Sequence, residues 1–454
     1  MNGNIDILNN PKSAFWKFSA PLYFLFLFNS CYSIVNLFWV SQLSQEAFFA
    51  FGVAQPLIVL ISRLGDALGV GTNSVISREI GEKDLEGSNN SILHGIITCI
   101  IVGAILALLT FFLKDILSLM NITTSIDLVV DYLTPMFIFS VLTLLSSLFV
   151  NTLQAEGNSK TPTIIIILTN ILNLILVPIF IFVFDWGIKG VAYATVLSTL
   201  VAVIIFLNFY LSGKTKVVLN FKYFKLGIVY EIFVVSIPNF IIDILWSVNM
   251  MFINSVLIAQ LGQIGVLLYS TASQIEQLIS SPQSSFSGSM VTICGQLFGA
   301  NKIQKLNEIY NYSLKISLSF SIIFTVIFFF IRDYGFALFS VTGVETSVFY
   351  IALFGIFIVS AANVSKLSNK ILDGLGKSYH SLILTIGLIL FEIISITLLA
   401  PILTSGVCVL IGIFLGEVIF AIIVFIIIKS ILIGENKLEE KIQQGKLKMN
   451  DNLK

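Results

Sequence analysis

Carboxylate and amide side chains recur at helical spacing inside two of the long stretches from which this sequence could build helices. Asp243 lies in the first of these stretches and Glu276 in the second. An ionisable side chain in an apolar surrounding costs about 3 kcal/mol or more unless it is paired or hydrated. The residues that share a helical face with these two acids are Asn239, Ser247, Met250 and Asn254 in the first stretch, and Ser280, Gln283 and Ser287 in the second.

A cavity wall of carboxylates, amides and hydroxyls would bind cations or cationic organic molecules. We expect substrate contacts from Asp243, Asn254, Glu276 and Gln283, with the Trp246 indole providing an apolar surface. Glu276 is also a candidate for the coupling cation, because a proton or Na⁺ on a carboxylate cancels its attraction for a cationic ligand. The alternative is helix packing, in which polar side chains hydrogen-bond across helices.

Two other apolar stretches carry amides without a carboxylate. Asn36 in the first and Asn173 in the fifth predict a polar but uncharged cavity wall, together with Asn29, Ser33 and Asn170. Arg63 is spaced to pair with Asp66 on the same helix. Glu392 and Glu417 lie in the eleventh and twelfth predicted helices. Glu417 either joins neighbouring helices or binds a proton, and a helix contact is the interpretation that we favour.

The stretches that carry these residues are long enough to cross a bilayer. The 454-residue chain is 57% hydrophobic and 11% charged, against roughly 25% charged residues in an ordinary soluble domain. Continuous apolar runs favour helices over the alternating pattern of barrel strands. The sequence therefore predicts an all-α polytopic membrane protein. Its twelve transmembrane helices are predicted at 16–41, 48–76, 92–113, 128–151, 162–184, 187–211, 230–259, 264–294, 311–331, 347–368, 379–401 and 406–429.

The basic residues predict how the chain is oriented in the bilayer. Most of the 25 Lys and Arg residues fall in connections on one side of the predicted helices. Positive residues concentrate in cytoplasmic loops. We therefore predict a multi-pass protein of the cell membrane with both termini in the cytoplasm.

Two short motifs occur once in each half of the chain, in the same order. The segment 71–83 resembles 289–301, and Glu156–Lys160 resembles Asp373–Lys377. Two halves of six helices each would have the same topology, related by an axis along the membrane normal. The predicted domains are an N-terminal six-helix bundle at 1–212, a cytosolic linker at 213–229, a C-terminal six-helix bundle at 230–430 and a cytosolic tail at 431–454 that forms a short helix or coil.

Several classes of function lack the residues that they need. The formal net charge is zero, so no basic excess would attract nucleic acid. The four cysteines and two histidines show no metal-ligand spacing, and no metalloprotease motif or nucleophile elbow occurs. The phosphate-binding loop of ATP-driven pumps is also missing from the sequence. We predict neither an enzyme nor a protein with a metal or a resident cofactor.

Several motifs resemble those of the multidrug and toxic compound extrusion (MATE) family. The segment 71–84 is similar to the family's loop between helices two and three, and 154–163 to its loop between helices four and five. The segment 186–198 is similar to the start of its sixth helix, and 295–301 and 372–377 are second-half counterparts. The resemblance implies an antiporter that exports drugs or metabolites, driven by inward Na⁺ or H⁺, with a V-shaped pair of six-helix bundles.

The sequence departs from this family where many members carry cation-binding carboxylates. Asn36 stands at the position of the family's Asp in helix one, and Val177 at that of its Asp in helix five, whereas Asn173 and Thr195 remain. The resemblance therefore implies Asn36, Asn173 and Thr195 as candidates for a cation site without an anionic ligand.

The resemblance also implies the surroundings and the partners of the chain. It implies small-molecule substrates, a surrounding lipid bilayer and a monomer that needs no partner protein. The alternative function is that of a flippase for lipid-linked precursors, or of a metabolite exporter, in the same superfamily. Flippases of this kind commonly need cationic cavity residues, and Arg63 is the only arginine inside the predicted helices.

Overall fold

The computed structural model describes residues 5–119, 125–219, 225–338, 364–403 and 406–452, and these ranges contain helices but no strand. The helices of the first half are α1 (Pro11–Ser41), α2 (Gln45–Glu82), α3 (Leu85–Leu109), α4 (Leu113–Leu119), α5 (Ile126–Ile138), α6 (Ser140–Ala155), α7 (Lys160–Pro178) and α8 (Gly187–Leu211). Those of the second half are α9 (Leu226–Leu261), α10 (Gln263–Gly299), α11 (Ile303–Leu338), α12 (364–374), α13 (Ser378–Leu399) and α14 (Val407–Asn452).

The local sequence explains where α2 ends and α3 begins. Lys83 adopts the left-handed conformation at φ 67° and closes α2, with its N–H directed to the last carbonyls of that helix. Asp84 then caps α3, because its carboxylate accepts the Gly87 N–H at 2.8 Å. The helix pair is therefore joined without a longer loop, within the segment 71–84 that carries the first sequence motif.

The described helices confirm a membrane protein. Eight helical stretches are long and apolar enough to span a bilayer, and the bent pair α5–α6 makes a ninth. Large apolar side chains such as Phe24, Ile105 and Leu168 are exposed on the protein surface, as lipid-facing positions require. The predicted segments at 264–294 and 311–331 are helices α10 and α11, of 37 and 36 residues.

Two of the predicted segments differ from the structure, and a third lies mostly outside the described residues. The predicted helix at 128–151 is broken at Phe139 into α5 and α6, with a bend of 50°. Pro135 provides the physical reason, because it lacks an N–H and disrupts the helical ladder near the break. Helix α14 also continues without a break through the predicted tail to Asn452. Most of the predicted segment 347–368 lies outside the described residues.

The chain divides into two compact units. The first comprises Met1–Ile5 and Ala20–Phe240, and the second comprises Asp6–Ser19 and Ile241–Lys454. The boundary between Phe240 and Ile241 falls inside α9, so this helix contributes its first part to one unit and its remainder to the other. The predicted domain limits, which place a linker at 213–229, stay a prediction.

Small residues allow close helix packing within the first unit. A Cβ atom at Gly69 of α2 would lie 2.5 Å from the Asn151 amide nitrogen and 3.0 Å from the Ser147 carbonyl oxygen, both on α6. Helices in membranes associate through such close approaches, since lipid provides no hydrophobic force between them. The contact aligns α2 along α6 beside an apolar core that includes Leu144 and Leu148.

The repeated acidic motifs form loops in both units. Glu156 follows α6, and Asp373 lies near the end of α12. Each is followed by a glycine with positive φ, Gly157 at 97° and Gly376 at 70°. Glu156 accepts the Lys216 N–H at 2.8 Å, whereas Asp373 accepts from the Lys370 ammonium at 2.9 Å. The positive-φ glycine directly follows Glu156 but lies three residues after Asp373, so the two loops differ in register although the sequence motifs align.

The Glu156 loop predicts a pH-dependent stability. Burial raises the pKa of Glu156 to about 7 from 4.5, although the hydrogen bonds from the backbone of Lys216 and Val217 lower it. A folded state that binds this extra proton is most stable at acid pH and loses up to about 3 kcal/mol as the pH rises between these two values. We expect Glu156→Gln to flatten the fall in thermal unfolding temperature between about pH 5 and about pH 8 in detergent.

An exposed acid on the neighbouring helix end provides the control for this experiment. Glu82 at the end of α2 is exposed, and Glu82→Gln should leave the pH profile of unfolding as it is in the wild type. Identical profiles for Glu156→Gln and the wild type would contradict the assignment of the effect to Glu156.

Candidate functional site

A cluster of neutral polar side chains, here called the neutral cluster, joins α1, α7 and α8 in the first unit. Asn173 is its centre, and its Oδ1 accepts a hydrogen bond from the Tyr32 hydroxyl at 2.8 Å. Its Nδ2 donates to Thr195 Oγ1 at 3.3 Å and to Ser198 Oγ at 3.2 Å. Asn36 Nδ2 donates to the Tyr32 hydroxyl oxygen at 3.2 Å. The structure therefore brings together Asn36, Asn173 and Thr195, which were predicted as cation-site candidates.

The composition of the neutral cluster limits its chemistry. Val177, one turn after Asn173, is fully buried and belongs to an apolar core, so no carboxylate enters from that position. The buried Oδ1 of Asn36 has no hydrogen-bond partner among the described residues. A Na⁺ ion in the neutral cluster would meet neutral oxygens, which bind hard cations more weakly than carboxylates do. A cation site at Asn36, Asn173 and Thr195 stays a prediction.

The residues predicted to bind substrate lie on α9 and α10. Gln283 is buried on α10, and its Nε2 donates to Ser321 Oγ of α11 at 3.0 Å. Asp243 and Trp246 are half-buried on α9, and so is Asn254, whose buried Oδ1 lacks a hydrogen-bond partner within the described chain. The side chain of Glu276 lies outside the described residues. Substrate contact by these five residues stays a prediction.

A cavity in the second unit lies between α9, α12, α13 and α14. Its volume is about 30 Å³, and Trp246 is one of its lining residues. The polar residues that line it are Ser365, Lys366, Asn369, Thr385 and Glu417. A cavity of about 30 Å³ holds one or two water molecules, whereas drug-sized ligands occupy sites of roughly 300–1,000 Å³. An indole and a carboxylate therefore face a water-sized space inside the second unit.

Two buried acids, here called the carboxyl pair, lie next to this cavity. Glu392 of α13 is 1% exposed and Glu417 of α14 is 4% exposed, and their charges are close enough to repel each other. Asn249 Nδ2 of α9 donates to Glu392 Oε2 at 2.7 Å. A Cβ atom at Gly416 would lie 2.7 Å from Glu392 Cγ, so this glycine makes room for the acid beside Glu417.

The carboxyl pair was not predicted as a site from the sequence. Glu392 and Glu417 belong to different helices, and Asn249 lies off the polar face that was assigned to α9. The available signal was the presence of two acids inside predicted spans, because intramembrane ionisable residues mark functional sites by default. Their proximity to each other and to Asn249 follows from the packing of three helices.

A family model and several known proteins match this chain. The MatE family model matches residues 21–179 and again 238–398, once in each half. The multidrug export protein MepA of Staphylococcus aureus (strain NCTC 8325 / PS 47) is 26% identical over 320 residues, which cover 69% of this chain and 71% of MepA. The multidrug export protein MepA of Staphylococcus haemolyticus (strain JCSC1435) is 24% identical over 319 residues, covering 69% and 70% respectively.

Solved structures show the same fold. The crystal structure of MATE in complex with MaL6 is 25% identical and superposes with a TM-score of 0.87, covering 96% of this chain and 100% of that one. The crystal structure of MATE in the bent conformation reaches a TM-score of 0.92 at 24% identity, covering 97% and 100%. The helical architecture of the described residues is therefore that of these MATE structures.

Proposed function

The chain belongs to the MatE family of membrane transporters, and we propose that it exports amphipathic, often cationic small molecules by secondary-active antiport. The two named relatives are multidrug export proteins. Export by alternating access would couple the outward movement of substrate to an inward flow of H⁺ or Na⁺. No cofactor enters this proposal, since the ion gradient provides the energy.

The structural observation that supports this proposal is the placement of Trp246 and Glu417 at one small cavity in the second unit. The indole suits the apolar or aromatic part of a ligand, and cations bind to the face of an indole. A carboxylate in the same space attracts a positive charge more strongly than it would in water. An organic cation with an apolar body combines both features.

Charge in the membrane-embedded helices favours cationic over anionic substrates. Asp243 is half-buried on α9, and the carboxyl pair is buried on α13 and α14. Lys366 is the basic residue that lines the cavity. A flippase for lipid-linked pyrophosphates would need several cations to neutralise its substrate. Transport of such a lipid and not of an organic cation would favour the alternative function.

We propose that Asp243 attracts the positive charge of the substrate. Asp243→Asn should lower the initial rate of ethidium efflux from cells by about tenfold, since one lost charge interaction of roughly 1.4 kcal/mol has that effect. Glu276→Gln tests the second predicted acid in the same assay. Efflux of a neutral dye of similar size should fall less than twofold in both variants, because the attraction lost is electrostatic.

A neighbouring hydroxyl provides the matched control for Asp243→Asn. Ser247 is exposed on the same face of α9, one turn later, and its hydroxyl donates to the Asp243 carbonyl oxygen at 3.0 Å. Ser247→Ala should leave ethidium efflux near the wild-type rate. Unchanged efflux in both acid variants would remove Asp243 and Glu276 from the substrate site.

We also propose the setting in which transport occurs. The protein lies in the cell membrane as a monomer. Both of its termini lie in the cytoplasm, and the distribution of basic residues supports this orientation. A reporter that is active only in the cytoplasm, fused to either end of the chain, tests this orientation. Activity at one end only would imply an odd number of spans and would contradict the twelve-helix topology.

A further inference from the structure

The carboxyl pair combines burial with an unsatisfied hydrogen-bonding group. Glu392 Oε2 accepts the Asn249 amide, whereas Glu392 Oε1 is buried and has no hydrogen-bond partner in the described part of the chain. The Oδ1 atom of Asn249 is buried and likewise has none among those residues. Leaving a buried acceptor without a donor is costly. A proton on Glu392 would provide the missing donor.

The second acid makes the binding of a proton more favourable. Two carboxylates so close together in a low-dielectric surrounding repel each other, and a single shared proton relieves this repulsion. Lys366 of α12 lines the cavity with Glu417, and Asp243 lies on α9, the helix that carries Asn249. The cavity therefore places one basic residue beside Glu417, and Glu417 is the acid whose charge repels that of Glu392.

Polar side chains line part of the cavity beside the carboxyl pair. Glu417 lines it, and so do Ser365 and Asn369 on α12. The Ser365 hydroxyl oxygen and the Asn369 Oδ1 are buried without a hydrogen-bond partner among the residues described. Polar groups of this kind accept and pass hydrogen bonds, as a proton path requires.

The geometry favours a proton over a metal cation as the ligand. Asn249 directs its Nδ2 toward Glu392, and an N–H donor cannot coordinate a cation. Gly416 packs against Glu392 Cγ and lies near its Oε1, so one side of the acid is closed by helix backbone. Na⁺ would need several oxygen ligands around it, in the way that other hard cations do. A proton needs one oxygen and an acceptor within reach.

We propose that Glu392 and Glu417 form the binding site for the coupling proton in the second unit. This inference rests on the proposed antiport function and identifies its coupling ion and residues. A proton enters from water through the cavity, binds to Glu417 and is shared with Glu392. Protonation removes one negative charge from the cavity and so weakens the attraction for a cationic substrate, and loss of the proton to the other side restores it.

The first experiment measures transport in proteoliposomes with a fluorescent organic cation, ethidium. In the wild type, a pH gradient should drive ethidium accumulation, whereas a Na⁺ gradient should not. Glu392→Gln and Glu417→Gln should each reduce the pH-driven initial rate at least tenfold. In Glu392→Gln, whose side chain does not line the cavity, exchange of ethidium without a gradient should stay within about threefold of the wild-type rate, because substrate binding and the conformational change remain.

The control for this experiment is Glu308→Gln, which alters an exposed acid on α11 and should keep the wild-type behaviour. Size-exclusion profiles and thermal unfolding report whether each variant is folded, and Glu392→Asp serves as a second variant that keeps the carboxyl group. Full pH-driven accumulation in both glutamine variants would overturn the proposal, and so would accumulation driven by Na⁺ alone. Absence of gradient-driven transport and of exchange in the wild type would contradict the antiport function itself.

The second experiment detects the proton without any transport. Infrared difference spectra of the purified protein in detergent, recorded against pH, show the carbonyl stretch of a protonated carboxyl group. We expect a titrating band in the wild type and in Glu308→Gln that loses at least half of its amplitude in Glu392→Gln and in Glu417→Gln. An unchanged band in both would overturn the proton site even if the antiport function were correct.

Discussion

Replacement of Gly71 by alanine is expected to abolish most accumulation of folded protein. Gly71 lies on α2 against the first part of α9, and an added Cβ atom would lie 2.6 Å from the Ile232 carbonyl oxygen and closer still to the Ser236 hydroxyl. The hydroxyl can rotate, but the backbone carbonyl cannot move without separating the helices. Overpacking of this kind costs about 1–3 kcal/mol or more, and Gly71→Val should be worse than Gly71→Ala.

The same helix provides the control for Gly71→Ala. An added Cβ atom at Gly52 meets nothing within 4 Å, so Gly52→Ala should keep wild-type yield and gain up to about 1 kcal/mol from helix propensity. The measurement is the yield of monodisperse protein on size exclusion, together with its thermal unfolding in detergent. Equal yields for Gly71→Ala and Gly52→Ala would show that α2 and α9 do not approach as closely as described.

Replacement of Asn173 by valine is expected to lower stability by about 2–3 kcal/mol, because one side chain provides hydrogen bonds to three helix-borne groups. The amide receives the Tyr32 hydroxyl at 2.8 Å and donates to Thr195 and Ser198. Valine has a similar size but forms no hydrogen bond. The hydroxyl groups of Tyr32, Thr195 and Ser198 therefore lose their shared partner in a largely buried environment. The measurement is the shift in thermal unfolding temperature of purified protein.

The control for Asn173→Val lies one turn earlier on the same helix. Asn170 Nδ2 donates a single hydrogen bond to Asn29 Oδ1 at 3.0 Å. Asn170→Val should therefore cost about 1 kcal/mol, distinctly less than Asn173→Val. Equal costs at both positions would mean that the neutral cluster is not centred on Asn173.

Local sequence predicted the helices of the first half well. The predicted runs at 16–41, 48–76, 92–113, 162–184 and 187–211 fall in helices that are apolar enough to span. The break of the fourth run at Phe139 was missed, because Pro135 is one residue in an otherwise continuous apolar run and proline is tolerated in transmembrane helices. The many polar residues of α10 were noted in the sequence. They lower the mean hydropathy of this helix, so it is not among the described helices that are apolar enough to count as spans.

For the candidate sites, too, the sequence predicted the residues on one helix but not the contacts between helices. The spacing of Asn36 and Asn173 within their own helices was visible in the sequence, and the structure joins them through Tyr32, which no pattern had indicated. The sequence assigned the functional face of α9 to the side that carries Asp243 and Asn254. In the structure, Asn249, which lies off that face, donates a hydrogen bond to the buried acid Glu392. A helical period orders residues around one axis, but it leaves open which neighbour each face meets.

The sequence by itself determined that this chain is a helical membrane protein with a repeated half, because hydropathy, loop charge and motif order are properties of short segments. Tertiary structure alone decided that Asn249, Glu392 and Glu417, from three separate helices, meet beside a cavity. The physical reason is that helix rotation and partner choice depend on close packing, here at Gly416, and packing depends on the whole unit.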